Sequence, residues 1–128
     1  MIEYRIPQTL CEYFNQAGLG MRFVPETWRD DCASLWMTSG GSEKTYVDGS
    51  KIVSLPFEVR IRCDGRSVGA RMRAMDMYVQ IANQLAYRQP DEFGIEVTSP
   101  PFKSAIYENG DEEYRGSYVM RYQREKKE

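Results

Sequence analysis

The residue types that most often carry out catalysis are sparse in this chain. It contains no histidine, which removes the commonest general base, the usual metal ligand and the usual member of a catalytic triad. Its three cysteines, Cys11, Cys32 and Cys63, lie far apart without CxxC spacing, so buried or half-buried thiols are expected rather than a zinc site or disulfides. No glycine-rich phosphate-binding motif is present. We therefore predict no catalytic residue, no metal and no cofactor, and a protein that is not an enzyme.

The carboxylates occur in short runs, at Asp30-Asp31, Asp91-Glu92 and 111–113. Paired acids can exchange protons or bind a hard cation. Each run lies in a predicted turn or tip, and none has the regularly spaced oxygens of a calcium loop. A solvated surface is the expected role of these residues.

Arginine is the most distinctive charged residue, because most of the 17 basic residues are arginines and several lie between Arg60 and Arg73. One interpretation is a patch that follows a phosphate backbone. Another is an exposed strand face or a protein interface, where arginine is enriched. The net charge of −2 and the lack of interleaved aromatic residues favour the interface and predict no specific nucleic-acid partner. A small nucleotide- or nucleic-acid-binding module that uses Arg60 and Arg62 remains the alternative.

The length of 128 residues predicts one domain, residues 1–128, with a short flexible charged tail at 124–128. No apolar run approaches the roughly 20 residues of a membrane span, and the N-terminus does not resemble a signal peptide. We therefore expect a protein that is made in a cytoplasm and has no membrane partner.

Hydrophobic periodicity and turn residues predict the order of the elements. Helices are expected at 7–17 and 68–88, and strands at 32–37, 53–63, 93–98, 102–107 and 114–123. Residues 21–31 are expected to be irregular and 38–44 to form a flexible loop, while Asn109-Gly110 is a strong hairpin signal. This order predicts an α+β fold, with a mostly antiparallel sheet packed against one long helix and a short N-terminal helix.

The alternation within these segments predicts which faces are buried. From Val53 to Cys63 the odd-numbered residues are apolar, and Pro56 predicts an edge, a bulge or a strand start because it has no N–H to donate. The long helix is expected to face the sheet with a stripe of Val68, Met72, Met75, Val79, Ala82 and Ala86, widened by Tyr78, Ile81 and Leu85. In the last strand, Tyr114, Tyr118, Met120 and Tyr122 share a face with Gly116, and that face suits either the core or an interface.

Residues 45–85 resemble a group of small proteins of long-tailed bacteriophages and prophages, known as minor capsid proteins and similar to tail terminators. The resemblance lies in four features: Asp48-Gly49, Leu55-Pro56-Phe57, the turn Asp64-Gly65-Arg66-Ser67, and Arg71-Met72 near the start of the helix. The layout after the helix also fits, with "SPPF", an acidic "ENGDEEY" tip and the closing strand "YRGSYVMRYQRE".

The resemblance implies a structural protein of the virion, assembled in the bacterial cytoplasm. Such subunits form a ring, commonly a hexamer, that ends tail-tube polymerisation and later docks the head connector. The implied partners are further copies of the chain, the major tail tube protein and a head-completion protein, and another neck connector protein is an alternative within the same class. The residues expected at interfaces are Asp48, Arg60, Arg62, Arg66, Asn109, Tyr114, Tyr118 and Tyr122. The loops at 38–51 and 108–113 are expected to order on docking.

Overall fold

The computed structural model describes residues 5–27 and 32–124, which form two helices and six strands. In chain order these are α1 (Ile6–Gln16), β1 (Arg22–Pro25), β2 (Cys32–Met37), β3 (Ser42–Thr45), β4 (Lys51–Asp64), α2 (Val68–Tyr87), β5 (Gly94–Ile106) and β6 (Asp111–Arg124). The predicted α+β class is confirmed, with a mostly antiparallel sheet, a short N-terminal helix and one long helix packed against the sheet.

The two longest strands, β4 and β6, form the centre of the sheet. They pair along their whole length, from Lys51 opposite Arg124 to Asp64 opposite Asp111. β5 lies on the outer side of β6, while β2 and then β1 lie on the other side of β4. The β1–β2 pair is parallel and the other described pairs are antiparallel. Strands of this length extend roughly 46 Å, so the two ends of β4 lie at opposite ends of the molecule.

Pro56 lies inside β4, at the point where one edge of this strand changes partner. β2 pairs with residues 57–61 and β3 with residues 51–54, so neither strand pairs with Pro56. The Pro56 carbonyl accepts a hydrogen bond from the Thr38 backbone N–H at 3.1 Å, and its missing N–H faces the same side. The proline therefore occupies a local edge within a long strand. No neighbouring strand requires a hydrogen bond from its backbone nitrogen there.

Both helices pack on one face of the sheet, and the core lies between them and the sheet. Phe57 of β4 and Leu10 and Phe14 of α1 are fully buried in one apolar cluster that also contains Ile81 of α2. The ring of Phe14 stacks on Phe23 of β1 with centroids 4.8 Å apart. The odd-numbered side chains of β4 thus face the core, as the alternation predicted.

The rotation of α2 about its axis differs from the prediction. The predicted stripe of Val68, Met72, Met75, Val79, Ala82 and Ala86 is exposed, and the buried residues are Ala74, Met77, Tyr78, Ile81 and Leu85. The Tyr78 hydroxyl anchors this rotation because its one hydrogen is shared between the carbonyl oxygens of Val59 and Tyr114, which lie 2.9 and 3.0 Å from the hydroxyl oxygen. The Tyr78 ring fits because the facing strand residue is Gly116, where a Cβ would lie 3.0 Å from that ring. The helix is apolar over much of its circumference, so its periodicity alone did not distinguish the two faces.

Three other predictions change. β5 is one strand with register shifts rather than two strands, because Pro100 and Pro101 are accommodated by irregularities on the outer edge of the sheet. β1 lies within the segment 21–31 that was expected to be irregular, and β3 overlaps the flexible loop expected at 38–44. The Asp30-Asp31 pair lies outside the described residues. The predicted N-cap of α2 is present, since the Ser67 hydroxyl accepts a hydrogen bond from the Ala70 N–H at 3.1 Å.

Candidate assembly surface

The face of the sheet opposite the helices carries a dense group of charged and aromatic side chains. Alternation along β2, β4 and β6 directs every second residue to this side, and no described helix covers it. We call this group the open-face cluster; its members are Trp36, Glu58, Arg60, Arg62, Tyr107, Asp111, Glu113 and Arg115. The strand register brings them together, with Arg60 opposite Arg115 and Arg62 opposite Glu113.

Ion pairs connect the centre of the cluster. The Glu58 carboxylate lies 2.9 Å from Arg60 Nε and 3.5 Å from an Arg115 guanidinium nitrogen, so one acid holds two arginines that face each other across the ladder. Their side chains are between 18 and 34% exposed, which is low for charged groups on a sheet surface. The acid offsets the repulsion that two directly opposed arginines would otherwise exert.

Two arginines also stack on aromatic rings. The Arg62 guanidinium lies 3.9 Å from the centroid of the Tyr107 ring, and its Nε lies 3.0 Å from an Asp111 oxygen. The Arg60 guanidinium lies 4.9 Å from the centroid of the Trp36 indole. Each guanidinium is thereby held by both a carboxylate and a π-face, and these two contacts restrict its position.

Glu113 is the most buried acid of the cluster, with 2% of its surface exposed. One of its oxygens accepts a hydrogen bond from the Tyr107 hydroxyl at 3.0 Å, and the other lies 3.9 Å from Arg115 Nε without a hydrogen bond among the described residues. Desolvation and this hydrogen bond raise the pKa of Tyr107, so its hydroxyl stays protonated as a donor. The hydrogen bond between Tyr107 and Glu113 joins the end of β5 to β6.

The open-face cluster contains three arginines and three carboxylates, so its formal charge is balanced. A surface that tracks a polyanion needs an excess of positive charge, which this arrangement lacks. Arginine, tryptophan and tyrosine in a partly desolvated, ordered network are instead typical of the energetic centre of protein–protein interfaces. The cluster is chemically suited to recognising a protein surface.

The turns at one end of the sheet extend this surface to two more of the predicted residues. Asp64 accepts hydrogen bonds from the backbone N–H and the Nε of Arg66 at 3.0 and 3.1 Å, which lower the pKa of Asp64. The Gly65 N–H donates to the Gly110 carbonyl at 3.0 Å, and a Cβ at Gly65 would lie 2.6 Å from that oxygen. This contact joins the turn before α2 to the turn between β5 and β6.

The turn between β5 and β6 is connected to the cluster through Asp111. The Asn109 side chain accepts from the Asp111 N–H at 3.0 Å and donates to its carboxylate at 3.3 Å, and the same carboxylate holds Arg62. Gly110 has φ of +92°, and its N–H donates to the Tyr107 carbonyl at 3.0 Å, so the hairpin closes through a three-residue loop with glycine at the left-handed position. Arg60, Arg62, Arg66 and Asn109 are therefore brought to one end of the molecule.

Asp48 lies at the opposite end, in the turn between β3 and β4. Its carboxylate accepts hydrogen bonds from the backbone N–H and the hydroxyl of Ser50 at 2.9 and 2.6 Å, and these bonds lower the pKa of Asp48. These hydrogen bonds stabilise the turn in which Asp48 lies, and the structure does not bring Asp48 near the other predicted interface residues.

The three tyrosines expected at interfaces lie in the core instead. Tyr114, Tyr118 and Tyr122 are 7, 3 and 7% exposed, because their parity directs them beneath the helices. Burial raises the pKa of Tyr118, and burial together with a hydrogen bond to Glu112 raises the pKa of Tyr114 to about 12. Of the two roles that their spacing left open, the structure assigns them to the core, so their side chains are not available at the surface.

The groups with chemical reactivity are dispersed. Among residues 5–27 and 32–124, no three cysteine or acidic side chains are placed to hold a metal ion. Burial raises the pKa of the Cys11 thiol to about 12.

A cleft of about 600 Å³ between α1 and the end of α2 is lined by Tyr13 and Arg88, among others. The Tyr13 hydroxyl donates to the Arg88 carbonyl at 2.7 Å, so it joins the two helices. In the described part of the chain, no helix is both long and apolar enough to cross a membrane.

Sequence reasoning found Arg60 and Arg62 but missed four partners, Trp36, Tyr107, Glu113 and Arg115. The parity of β6 carried a signal for two of them, because Glu113 and Arg115 alternate with the tyrosines. Trp36 lies on β2 and Tyr107 in the turn after β5, and their proximity to the arginines depends on a register that the sequence did not specify.

In comparisons with known proteins, no protein-family model matches the chain, and no curated protein shows significant similarity to it.

Proposed function

We propose that this chain is a structural subunit of a long-tailed phage or prophage, which forms a ring at the head-proximal end of the tail. The ring ends tail-tube polymerisation and joins the tail to the head. One observation carries this proposal: the open-face cluster is an ordered, charge-balanced, arginine- and aromatic-rich surface of the kind that binds proteins. The phage-specific part rests on the resemblance of residues 45–85 to tail terminators.

The proposed mechanism uses two different surfaces of each subunit. Contacts between unlike surfaces of successive copies form a closed ring when the rotation between copies closes. The open-face cluster and the adjoining turns at Arg66 and Asn109 form one side of this contact. A ring that matches the last tube ring on one face, and presents no tube-like surface on the other, stops further growth.

The hairpin of β3 and β4 provides a second element for assembly. All four β3 residues are exposed, and the turn that follows carries Tyr46 and Val47, which are 45% and 109% exposed. This hairpin protrudes at the opposite end of β4 from the cluster, which suits a contact to the next subunit or to the tube. The turn of this hairpin includes Asp48, which is therefore a proposed contact residue of the hairpin.

The test is light scattering after size exclusion, over a range of concentrations, for the chain alone and with the candidate tube protein. We expect a closed ring or a complex that forms only with the tube protein. Replacing Arg60 and Arg62 by Ala should weaken this association by roughly ten-fold or more, the effect of removing interface hot spots. Arg88→Ala is the matched control, because that arginine is highly exposed and lies at the end of α2.

The proposal is contradicted if the chain remains a monomer at every concentration and does not bind the tube protein. The same double variant also tests the alternative, a module that binds nucleotides or nucleic acid through the two stacked arginines. That alternative requires retention on a polyanion column at low salt, which falls as salt rises and falls further in the variant. Association with the tube protein and no retention on the column would favour the assembly function.

A further inference from the structure

We infer that side-chain amides close the two outer edges of the sheet against the addition of further strands. The amide of Asn15 occupies the edge at β1, and the amide of Gln89 occupies the edge at β5. Because an edge strand offers unpaired N–H and C=O groups, a strand of another copy can extend the sheet wherever that edge is open. Copies of this chain therefore associate through faces and turns, and the sheet does not continue from one copy to the next. The inference does not depend on the proposed phage function.

β1 is the outermost strand on one side of the sheet. The Glu26 N–H donates to the Leu35 carbonyl of β2 at 2.9 Å, so by alternation the backbone groups of Phe23 face away from β2. The Phe23 N–H donates to Asn15 Oδ1 at 2.7 Å, and Asn15 Nδ2 donates to the Phe23 carbonyl at 3.0 Å. A side-chain amide has the donor and the acceptor of a peptide group. Asn15, from the last turn of α1, thus takes the place of the backbone of a further strand.

The same contact occurs on β5, the outermost strand on the other side. The Ile95 N–H donates to Gln89 Oε1 at 2.8 Å, and Gln89 Nε2 donates to the Ile95 carbonyl at 3.0 Å. The same Nε2 also donates to the Leu85 carbonyl at 3.0 Å, which ties the last turn of α2 to the sheet edge. Two amides from different parts of the chain therefore pair with both backbone groups of one residue on each outermost strand.

The other edge positions carry devices that also hinder strand addition. On β5, Pro100 and Pro101 have no N–H to donate and lie among register shifts that interrupt a regular edge. Beyond the end of β1, the Met37 N–H of β2 donates to the Glu26 carboxylate at 3.4 Å. β3 is only four residues long and has Glu43 and Lys44 at its centre. Short strands, prolines and charged side chains are the usual means by which sheet edges are protected.

The two amides contribute less to folding than to closing the edges. Asn15 and Gln89 both lie at exposed positions, where water would bond the same backbone groups if the side chains were absent. A hydrogen bond that replaces one to water adds little net stability, and holding the side chain in place costs conformational entropy. The contact does, however, fill the position that an incoming strand requires.

Self-association of edge variants tests the inference. Asn15→Leu and Gln89→Met keep the approximate size of each side chain and remove its hydrogen bonds to the edge. The double variant should associate at least about ten-fold more strongly than the wild type and should form larger, sheet-rich assemblies, because both edges then offer unpaired groups. Sedimentation velocity over a range of concentrations measures the association, and infrared spectra measure the sheet content of the assemblies.

Gln16→Leu is the matched control. It makes the same polar-to-apolar change one residue from Asn15, on a side chain that lines the cleft between the helices. This control should sediment like the wild type. The inference is overturned if the double variant keeps the wild-type unfolding transition and also sediments like the wild type. An equal increase in Gln16→Leu overturns it as well, because the added apolar surface would then explain the association.

Amide hydrogen exchange in the single variants tests each edge separately, and it does not require the double variant to fold. In Asn15→Leu the Phe23 amide should exchange roughly ten-fold faster than in the wild type, while the Ile95 amide is unchanged. Gln89→Met should have the converse effect. Unchanged exchange at both amides would show that the side chains do not occupy the edges, which contradicts the inference.

A last variant separates this inference from the proposed assembly function. Replacing Arg60 and Arg62 by Ala in the edge double variant should leave its edge association intact, because the open-face cluster lies on a face of the sheet. Loss of the association in this variant would assign it to the cluster and overturn the inference about the edges. The assembly function, in contrast, is tested in the chain with both amides present, so the two can fail independently.

Discussion

Adjacent residues of β4 show how differently the two faces of the sheet are stabilised. Phe57 points to the helices, is fully buried and stacks on Tyr118 with ring centroids 5.3 Å apart. Glu58, the next residue, points to the open face and holds two arginines whose side chains are 20 and 34% exposed. The first face excludes water by apolar packing, and the second is ordered by ion pairs that water still reaches.

This difference bears on function. Apolar burial is non-directional and contributes most of the free energy of folding, whereas partly exposed ion pairs contribute little to it. The ordered arginines and aromatic rings of the open-face cluster therefore contribute little to the free energy of folding. This low contribution to stability is consistent with the proposed role in recognition, and the following substitutions separate recognition from folding.

The largest difference is expected between Phe57→Ala and Glu58→Ala. Phe57→Ala should lower the free energy of unfolding by about 3–5 kcal/mol, because it leaves a cavity under both helices. Glu58→Ala should cost about 1 kcal/mol or less, because Arg60 and Arg115 remain accessible to water. Urea denaturation of both variants gives the comparison. Similar losses for the two would mean that the open face is part of the folding core.

A second pair compares the inner and outer sides of α2. Met77 is 3% exposed and Met72 is 67% exposed, so Met77→Ala should cost about 2–5 kcal/mol and Met72→Ala within about 0.5 kcal/mol. Thermal unfolding at low protein concentration measures both without a contribution from self-association. If Met72→Ala were the more destabilising, the helix would be rotated as its periodicity first suggested.

The strands could be predicted from the sequence more fully than the rotation of α2. In β4, a period of two residues with one apolar parity predicts a single buried face, and the structure confirms it; in β6 the same period groups the tyrosines on one face, which the structure places in the core. In α2, Met75 and Tyr78 both belong to apolar rows, so the pattern allowed two rotations. The choice depends on the fit of Tyr78 over Gly116, a contact across 38 positions of sequence that no local pattern contains.

The candidate site was predicted only in part, for a related reason. Arg60 and Arg62 were visible as alternating charges within one strand. Their partners Trp36 and Arg115 come from two other strands and Tyr107 from the turn after β5, and their positions are known only when the register is known. The tyrosines of β6 were compatible with either role, and the buried parity of the sheet decided between them.

The smallest expected effect concerns Glu112, an acid on the helix side of the sheet at the start of β6. Hydrogen bonds from Lys103 and from the Tyr114 hydroxyl hold the pKa of Glu112 below its ordinary value of 4.5. A lowered pKa in the folded state means that the ionised acid stabilises the fold. This stabilisation is fully present above the unfolded pKa and is lost as pH falls through the folded pKa.

Glu112→Gln should therefore be less stable than the wild type near pH 6, and the difference should shrink as the pH falls below about 4.5. Denaturant titrations at a series of pH values measure the two chains side by side, with Glu108→Gln in the exposed turn as the charge control. A difference that stays constant between pH 6 and the acid limit would assign the effect to packing of the amide rather than to the charge. A difference that fades with protonation would show that, even on the apolar face of the sheet, an ionised side chain stabilises the end where the turn before α2 meets β6.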